Sequence, residues 1–245
     1  MTEHQPIHVV LLSGGLDSTT LIHHVRKNYP NDGIIALSFR YGQRHEEREI
    51  QCAQIQAAYV NCRSHVVADM TFMRDVLAKT SALISTSTID VPTEAYDEKH
   101  RPITYVPFRN MLMLSIAAAM AEAHQGETVW YGAHRGDENA VYWDCSQRFM
   151  RRIQDVWDLN NNPHITLCVP FVDYTKAYIV EYAASLLDVP LDKTWSCYNG
   201  REKACGVCGT CRDRILAFAA CNLQDPIEYE TGSTWESVVA AASRR

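Results

Sequence analysis

The sequence predicts an α/β protein: a doubly wound, mostly parallel sheet with a small C-terminal lobe. Three observations predict it. Short apolar runs alternate with helix-length segments, the pattern of strands joined by helical crossovers. The turn Ser13-Gly14-Gly15-Leu16-Asp17-Ser18 stands between the first such run and the first helical pattern. Four of the nine cysteines fall between Cys197 and Cys211. A chain of 245 residues is long enough for one large α/β domain or a domain plus a lobe. The expected division is residues 1–194 for the α/β domain and 195–245 for the lobe, packed as one unit.

The elements follow in order. His8 to Ser13 is a short apolar run stopped by two glycines, and a helical pattern extends from Leu16 to about Lys27. Gly33 to Phe39 reads as a second buried strand, Glu46 to Tyr59 as a polar-rich helix, and His65 to Asp69 as a weaker third strand. From Thr80 to Pro107 periodicity is lost among Ser, Thr, Pro and Asp. A loop of that length is typically a functional lid or a disordered segment. Met111 to Ala123, rich in Ala, Leu and Met, is a strong helix. Thr128 to Gly132 and Ile165 to Val169 read as strands, and Arg148 to Leu159 and Lys176 to Leu187 as helices. A helix runs from Cys211 to about Cys221. A last one spans Ser233 to Ala242, capped by Ser233 or Thr234 with Glu236 in its first turn.

Composition narrows the classes. The chain is 47% hydrophobic and 21% charged, as in ordinary globular proteins. No apolar run approaches the roughly 20 residues that span a bilayer, and Met1 to His8 lacks a signal peptide's features. The expectation is a cytoplasmic protein with no membrane association. A net charge of -6 gives no global attraction for nucleic acid. Arg148, Arg151 and Arg152 are read as one solvated helix face.

The first loop carries the sharpest chemistry. Two glycines let the backbone turn and bring its N–H groups to an anion, and the following helix start adds its dipole. Ser13 and Ser18 add hydroxyls. Asp17 would repel phosphate unless a cation intervenes, so Mg²⁺ accompanying the nucleotide is expected there. The bland alternative is a Gly-Gly turn with no ligand. In this setting S-G-G-x-D-S resembles the signature of PP-loop (N-type) ATP pyrophosphatases, an adenine nucleotide alpha hydrolase-like fold whose members cleave ATP between the α- and β-phosphates. It differs from G-x-x-x-x-G-K-[ST] and from G-x-G-x-x-G.

Cys197, Cys205, Cys208 and Cys211 contain two overlapping C-x2-C steps, with Gly206 and Gly209 providing turns. Four thiolates suit a closed structural Zn²⁺ site. An iron–sulfur cluster shares the spacing, and disulfides are the third reading, disfavoured in a reducing compartment.

Taken together the motifs resemble the 7-cyano-7-deazaguanine synthase family, over roughly Val9 to Phe218. The carriers are the stretch Leu12 to Ile22, Tyr41-Gly42-Gln43-Arg44-His45, Val106-Pro107-x-Arg109-Asn110, Asp144-Cys145, Thr175-Lys176-Ala177, Cys197-Tyr198-Asn199-Gly200 and the four cysteines. The resemblance implies an ATP-dependent carbon–nitrogen ligase, releasing AMP and pyrophosphate, that takes 7-carboxy-7-deazaguanine and ammonia in queuosine biosynthesis. It also implies a homodimer. It assigns ATP to Leu12, Ser13, Gly14, Gly15, Leu16, Asp17, Ser18, Thr19, Thr20, Leu21 and Ile22, with Asp17, Lys176 and Arg109 as catalytic candidates. Gln43, Arg44, His45, Tyr142, Trp143 and Asp144 become candidate substrate residues, against the plainer readings of helix start and core. Cys145 is not read as a nucleophile.

Two positions depart from the family pattern. Phe108 stands where many members have Gly, and Trp143-Asp144-Cys145-Ser146 where they have Pro-Asp-Cys-Arg. A relative that conjugates the adenylated acid to a protein amine, as in antiphage-defence homologues, is therefore the second reading. A tRNA-thiolating PP-loop enzyme is the third.

Overall fold

In a computed structural model, which describes residues 5–93, 102–134, 142–160, 165–232 and 234–243, five strands form one sheet. They are β1 (Ile7–Leu11), β2 (Gly33–Arg40), β3 (Ser64–Asp69), β4 (Thr128–Trp130) and β5 (Thr166–Cys168). The order is β3-β2-β1-β4-β5 and every pairing is parallel. Parallel neighbours need crossovers. These are α1 (Leu16–Asn28) and α2 (Glu46–Tyr59), then α3 (Arg74–Leu77) and α4 (Arg109–Ala123), then α5 (Gln147–Trp157). After β5 the chain adds α6 (Lys176–Leu186), α7 (Gly209–Ala220) and α8 (Trp235–Ala242).

The strands are apolar on both faces because both faces are covered. Val9, Leu11, Ile35, Leu37 and Phe39 point to one side, against Leu114, Ala117 and Ala121 of α4 and Met150, Ile153 and Trp157 of α5. Val10, Ile34 and Ala36 point to the other, against Leu21, Ile22 and Val25 of α1, Ala53 and Ala57 of α2, and Ile179, Val180 and Ala183 of α6. Alternation along a strand sends neighbours to opposite cores, and each fully buried Leu or Ile contributes about 1.5–3 kcal/mol. The doubly wound expectation therefore holds.

A third cluster organises the C-terminal lobe around Trp195, the four clustered cysteines, Ile215, Tyr229 and Val238. Beneath it lies a fully buried ion pair. Arg214 of α7 donates Nε and Nη2 to the two oxygens of Asp225 at 2.6 and 2.9 Å, and Nη1 to Thr194 Oγ1 at 2.7 Å. The Tyr229 hydroxyl donates to the same carboxylate at 2.6 Å. Each buried charge thus has a partner and further hydrogen bonds, without which the desolvation would be prohibitive. Thr234 caps α8 with Glu236 in its first turn, as expected, and Ser237 completes a capping box with it. Ser233, the other expected cap, lies outside the described residues.

The stretch expected to be irregular from Thr80 is anchored where it is described. Ala82, Leu83 and Ile84 are buried, and Ile84 forms an isolated antiparallel bridge with Gln43. Arg44 fastens it further, donating to the carbonyls of Ala82, Ser87 and Ile89 at 2.9, 2.7 and 3.1 Å. Residues 94–101, the middle of the expected lid, lie outside the described residues.

α4 starts two residues earlier than its apolar pattern, and its N-cap is Phe108 with φ of 55°, in the left-handed region. A residue with a Cβ is strained there by about 1–2 kcal/mol. Phe108 is 59% exposed, so its ring offsets little of that strain. Phe108→Gly should raise stability by about 0.5–1 kcal/mol after the entropic penalty of Gly in the unfolded chain. A urea unfolding midpoint unchanged or lowered would show that the ring has packing worth more than the strain.

Candidate active site

Sequential strands run outward from β1 to β2 and β3, and the chain then returns to place β4 on the other side of β1. The crevice beyond the carboxyl ends of β1 and β4 is where open α/β sheets bind ligands. The turn after β1 lies there. Gly14 has φ of 75°, and a Cβ on it would stand 2.5 Å from the Glu49 carbonyl oxygen of α2. Only glycine lets the loop fold this tightly against that helix. Gly15, the N-cap of α1, offers no side chain to the first turn. The leading N–H groups of α1, which have no partner within the helix, are left to a ligand. The Ser13 and Ser18 hydroxyls stand 3.0 Å apart beside them.

A cavity of about 740 Å³ opens from this point, within the range of about 300–1,000 Å³ that encloses small ligands. One end holds Ser13, Gly15, Leu16, Asp17, Ser18 and Lys176. Lys176 Nζ donates to Asp17 Oδ2 at 2.5 Å, and His134 Nε2 lies 3.6 Å from the same oxygen. Burial pushes the Asp17 carboxyl up, but Lys176 first and His134 second outweigh it and hold the group below the usual carboxylate range. Asp17 therefore stays ionised at neutral pH. Its second oxygen, Oδ1, is buried and has no hydrogen-bond partner among the described residues. An unpaired carboxylate oxygen beside a phosphate-type loop fits a hard, oxygen-seeking cation such as Mg²⁺.

The other end is aromatic, lined by Phe39, Tyr41, Tyr131, Tyr142, Trp143 and Tyr198 around Arg109. Arg109 Nη1 donates to the Tyr41 hydroxyl at 3.1 Å, and its guanidinium lies 5.8 Å from that ring's centre. Gln43 and His45 also line the cavity. Gln43 Nε2 donates to Glu49 Oε2 at 3.1 Å, and His45 Nδ1 is 3.2 Å from the Tyr198 carbonyl.

The sequence-derived site residues thus divide. Leu12 through Ser18, apart from Gly14, reach the cavity, whereas Thr19, Thr20, Leu21 and Ile22 are buried in α1. Thr20 Oγ1 donates to the Leu16 carbonyl within the helix, and Leu21 and Ile22 belong to the core. Arg44 is not on the cavity wall, its guanidinium being used on the 82–89 backbone. Tyr142 and Trp143 are on the wall, but Asp144 is only 4% exposed behind it and burial pushes its carboxyl up. Burial, with Asp144 next to it, pushes the Cys145 thiol up to about 12, so it is not a thiolate at neutral pH. Arg148, read as part of a solvated face, is exposed and stands at the cavity wall.

Four contributors were missed. His134 follows β4 in Gly132-Ala133-His134, and its place directly after a strand beside β1 was the available signal. Tyr131 and Glu49 carried no signal beyond their proximity to strand ends. The C-terminal lobe supplies the fourth part of the wall, through Trp195, Ser196, Tyr198, Thr210 and Asp213.

Above that wall lie the four cysteines, all buried and unpaired in disulfides, with sulfurs within 4.8 Å of one another. Cys205 and Cys211 Sγ are 3.9 Å apart. A tetrahedral ion with metal–sulfur bonds of about 2.3 Å sets its sulfurs about 3.8 Å apart. The four residues fit one metal ion. No helix among the described residues is long and apolar enough to cross a membrane.

A parallel doubly wound sheet with a Ser-Gly-Gly-x-Asp-Ser turn and a side-chain-free helix start at its switch point defines the PP-loop class of nucleotide-binding proteins. Within that class the chain belongs to the family of the queuosine biosynthesis protein QueC, whose model matches residues 7–222. It is 40% identical over 224 residues to a 7-cyano-7-deazaguanine synthase 1 from Colwellia psychrerythraea, covering 91% of this chain and 98% of that protein. It is 42% identical over 226 residues to a 7-cyano-7-deazaguanine synthase from Methanoculleus marisnigri, again covering 91% and 98%. Among solved structures it resembles the U34-tRNA thiolase NcsA from Methanococcus maripaludis with its [4Fe-4S] cluster. That likeness has a TM-score of 0.48 at 13% identity, over 97% of this chain and 70% of that one.

Proposed function

We propose that this chain is an ATP-dependent carbon–nitrogen ligase that converts 7-carboxy-7-deazaguanine and ammonia to 7-cyano-7-deazaguanine. The observation that carries the reading is one cavity joining a phosphate-type loop, with its Asp17–Lys176 pair, to an aromatic chamber containing a cation. The likeness to synthases along nearly their full length supports it.

A carboxylate is inert to ammonia because its leaving group would be oxide. In the proposed course its oxygen attacks the α-phosphorus of ATP, and the bond to pyrophosphate breaks to give the acyl adenylate. Ammonia then adds to the carbonyl carbon, a proton is lost, and AMP leaves an amide. The amide oxygen attacks a second ATP in the same way, and loss of AMP and a proton gives the nitrile. This chemistry needs placement, charge neutralisation and exclusion of water more than a protein nucleophile.

The loop N–H groups, Ser13 and Ser18 hold the departing phosphates, and Lys176 faces the charge that grows on them. Asp17 would hold Mg²⁺ through Oδ1, and the ion would supply further neutralisation. His45 and Glu49, 3.5 Å apart, and His134 also stand at the cavity wall. The four cysteines would hold Zn²⁺ as a structural ion, because four protein ligands leave no position for water. A multi-iron cluster would have to spread these closely set sulfurs apart.

The test is a mass-spectrometric assay with ATP, Mg²⁺, ammonium and 7-carboxy-7-deazaguanine. Nitrile with two AMP per turnover is the expected product. ATP cleavage that depends on the acid but yields no nitrile would replace ammonia by another amine, as in a protein-conjugating relative. Absence of acid-dependent cleavage would overturn the reading.

A further inference from the structure

Arg109 stands among the tyrosines at the aromatic end of the cavity, whose wall also carries Glu49. It stands at the start of α4, inside the wall rather than on the outer surface. Among the described residues no carboxylate lies within ion-pair distance, and its side chain makes one hydrogen bond, to the Tyr41 hydroxyl. The phenols of Tyr198 and Tyr131 also act on its charge, and the carboxyl of Asp144, buried behind the wall, feels it beyond ion-pair distance. A desolvated guanidinium ordinarily takes a carboxylate or phosphate partner. Here the Tyr41 hydroxyl holds it in place and leaves the rest of its donor fork with no carboxylate within ion-pair distance among the described residues. Asp17 is engaged by Lys176 at the opposite end. The two cations therefore serve different places.

We propose that the aromatic end is the acid subsite, in which a planar aromatic carboxylate lies among Tyr41, Tyr131 and Tyr198 and gives its carboxylate to Arg109. Guanidinium binds carboxylate through two parallel hydrogen bonds, and flat rings are held by aromatic faces. The geometry makes Arg109 a substrate-orienting residue. It presents the acid's oxygen toward the phosphate end instead of stabilising the pyrophosphate itself. This assignment deepens the proposed function and rests on it for the identity of the acid, but not for the class of ligand.

Equilibrium titration tests it, with three probes: ATP with Mg²⁺, 7-carboxy-7-deazaguanine, and indole-3-carboxylate as a bicyclic acid of similar outline. In Arg109→Met both acids should bind about 30-fold or more weakly, the usual loss for a charge-assisted hydrogen bond. ATP affinity should change less than about threefold, which also certifies the fold. Arg109→Lys should recover part of the loss, and 7-deazaguanine, lacking the carboxylate, should bind wild type and Arg109→Met alike. Indole-3-carboxylate binding through Arg109 without 7-carboxy-7-deazaguanine binding would keep the subsite and discard the proposed substrate. Equal weakening of ATP and acids in Arg109→Met, or no binding of either acid to wild type, would overturn the subsite.

Discussion

Asp17→Asn is expected to lower acid-dependent ATP cleavage by about 10²–10³-fold, the range for removing a preorganised charge from a reacting centre. The substitution preserves shape, so the unfolding midpoint should move little. The carboxylate has two tasks in the structure. Oδ2 neutralises Lys176 at 2.5 Å, and Oδ1, buried with no hydrogen-bond partner among the described residues, is open to a cation. Asparagine retains an oxygen but loses the charge, so a cation and Lys176 would both be less well held. Lys176→Met should cost a comparable factor, and the double variant should cost far less than the product of the two. Groups acting as one unit are non-additive in this way. Steady-state pyrophosphate release from the three variants makes the comparison. If Asp17→Asn kept cleavage within about tenfold of wild type, Asp17 would be a structural partner of Lys176 only.

Removal of the metal should have the second large effect. Structural zinc contributes about 10–16 kcal/mol of apparent binding energy in small domains, as much as the whole stability of many proteins. Cys197 and Cys205 to Cys211 fix the segment that carries Trp195, Ser196, Tyr198 and Thr210 into the cavity wall. Stripping the ion with a chelator, or making Cys208→Ser, should therefore abolish ATP and acid binding, although no cysteine of the cluster is assigned to either ligand. Elemental analysis of purified protein should give one zinc per chain and no labile sulfide. Retention of ligand binding by metal-free protein would show that the lobe holds its shape through the Arg214–Asp225 pair and packing alone.

Most of the architecture was legible because buried parallel strands are written as unbroken apolar runs. Gly33 to Arg40 and Glu46 to Tyr59 came out within a residue of their expected bounds. The short α3 was not legible, since four residues carry too little periodicity to distinguish a helix from a turn. The tight turn after β1 and the cysteine cluster were legible because their residues are local in sequence. The aromatic end was only partly so. Arg44 and Asp144 are polar residues in distinctive motifs, yet one turns to backbone carbonyls and the other lies under the wall. Side-chain direction at such positions is decided by what packs there from elsewhere. His134 was missed although it follows a strand directly, because its neighbours Asp17 and Lys176 are far away along the chain.

The reversal of strand order at β1 has a consequence for how such a protein can diverge. The turn after β1 is pinned by Gly14 against α2 and by the main chain at Trp195, whose N–H bonds the Gly14 carbonyl at 2.9 Å. Almost any change there disturbs two helices and a lobe at once. The chamber around Arg109 is instead assembled from the end of β2 and the turn after it, the segments following β4, the start of α4 and Tyr198 of the lobe, each a separate stretch of chain. One half of the catalyst is thus frozen and the other free to drift. Under the proposed function, new acids or new amines would be tried by mutation in the second half while the first kept its ATP chemistry.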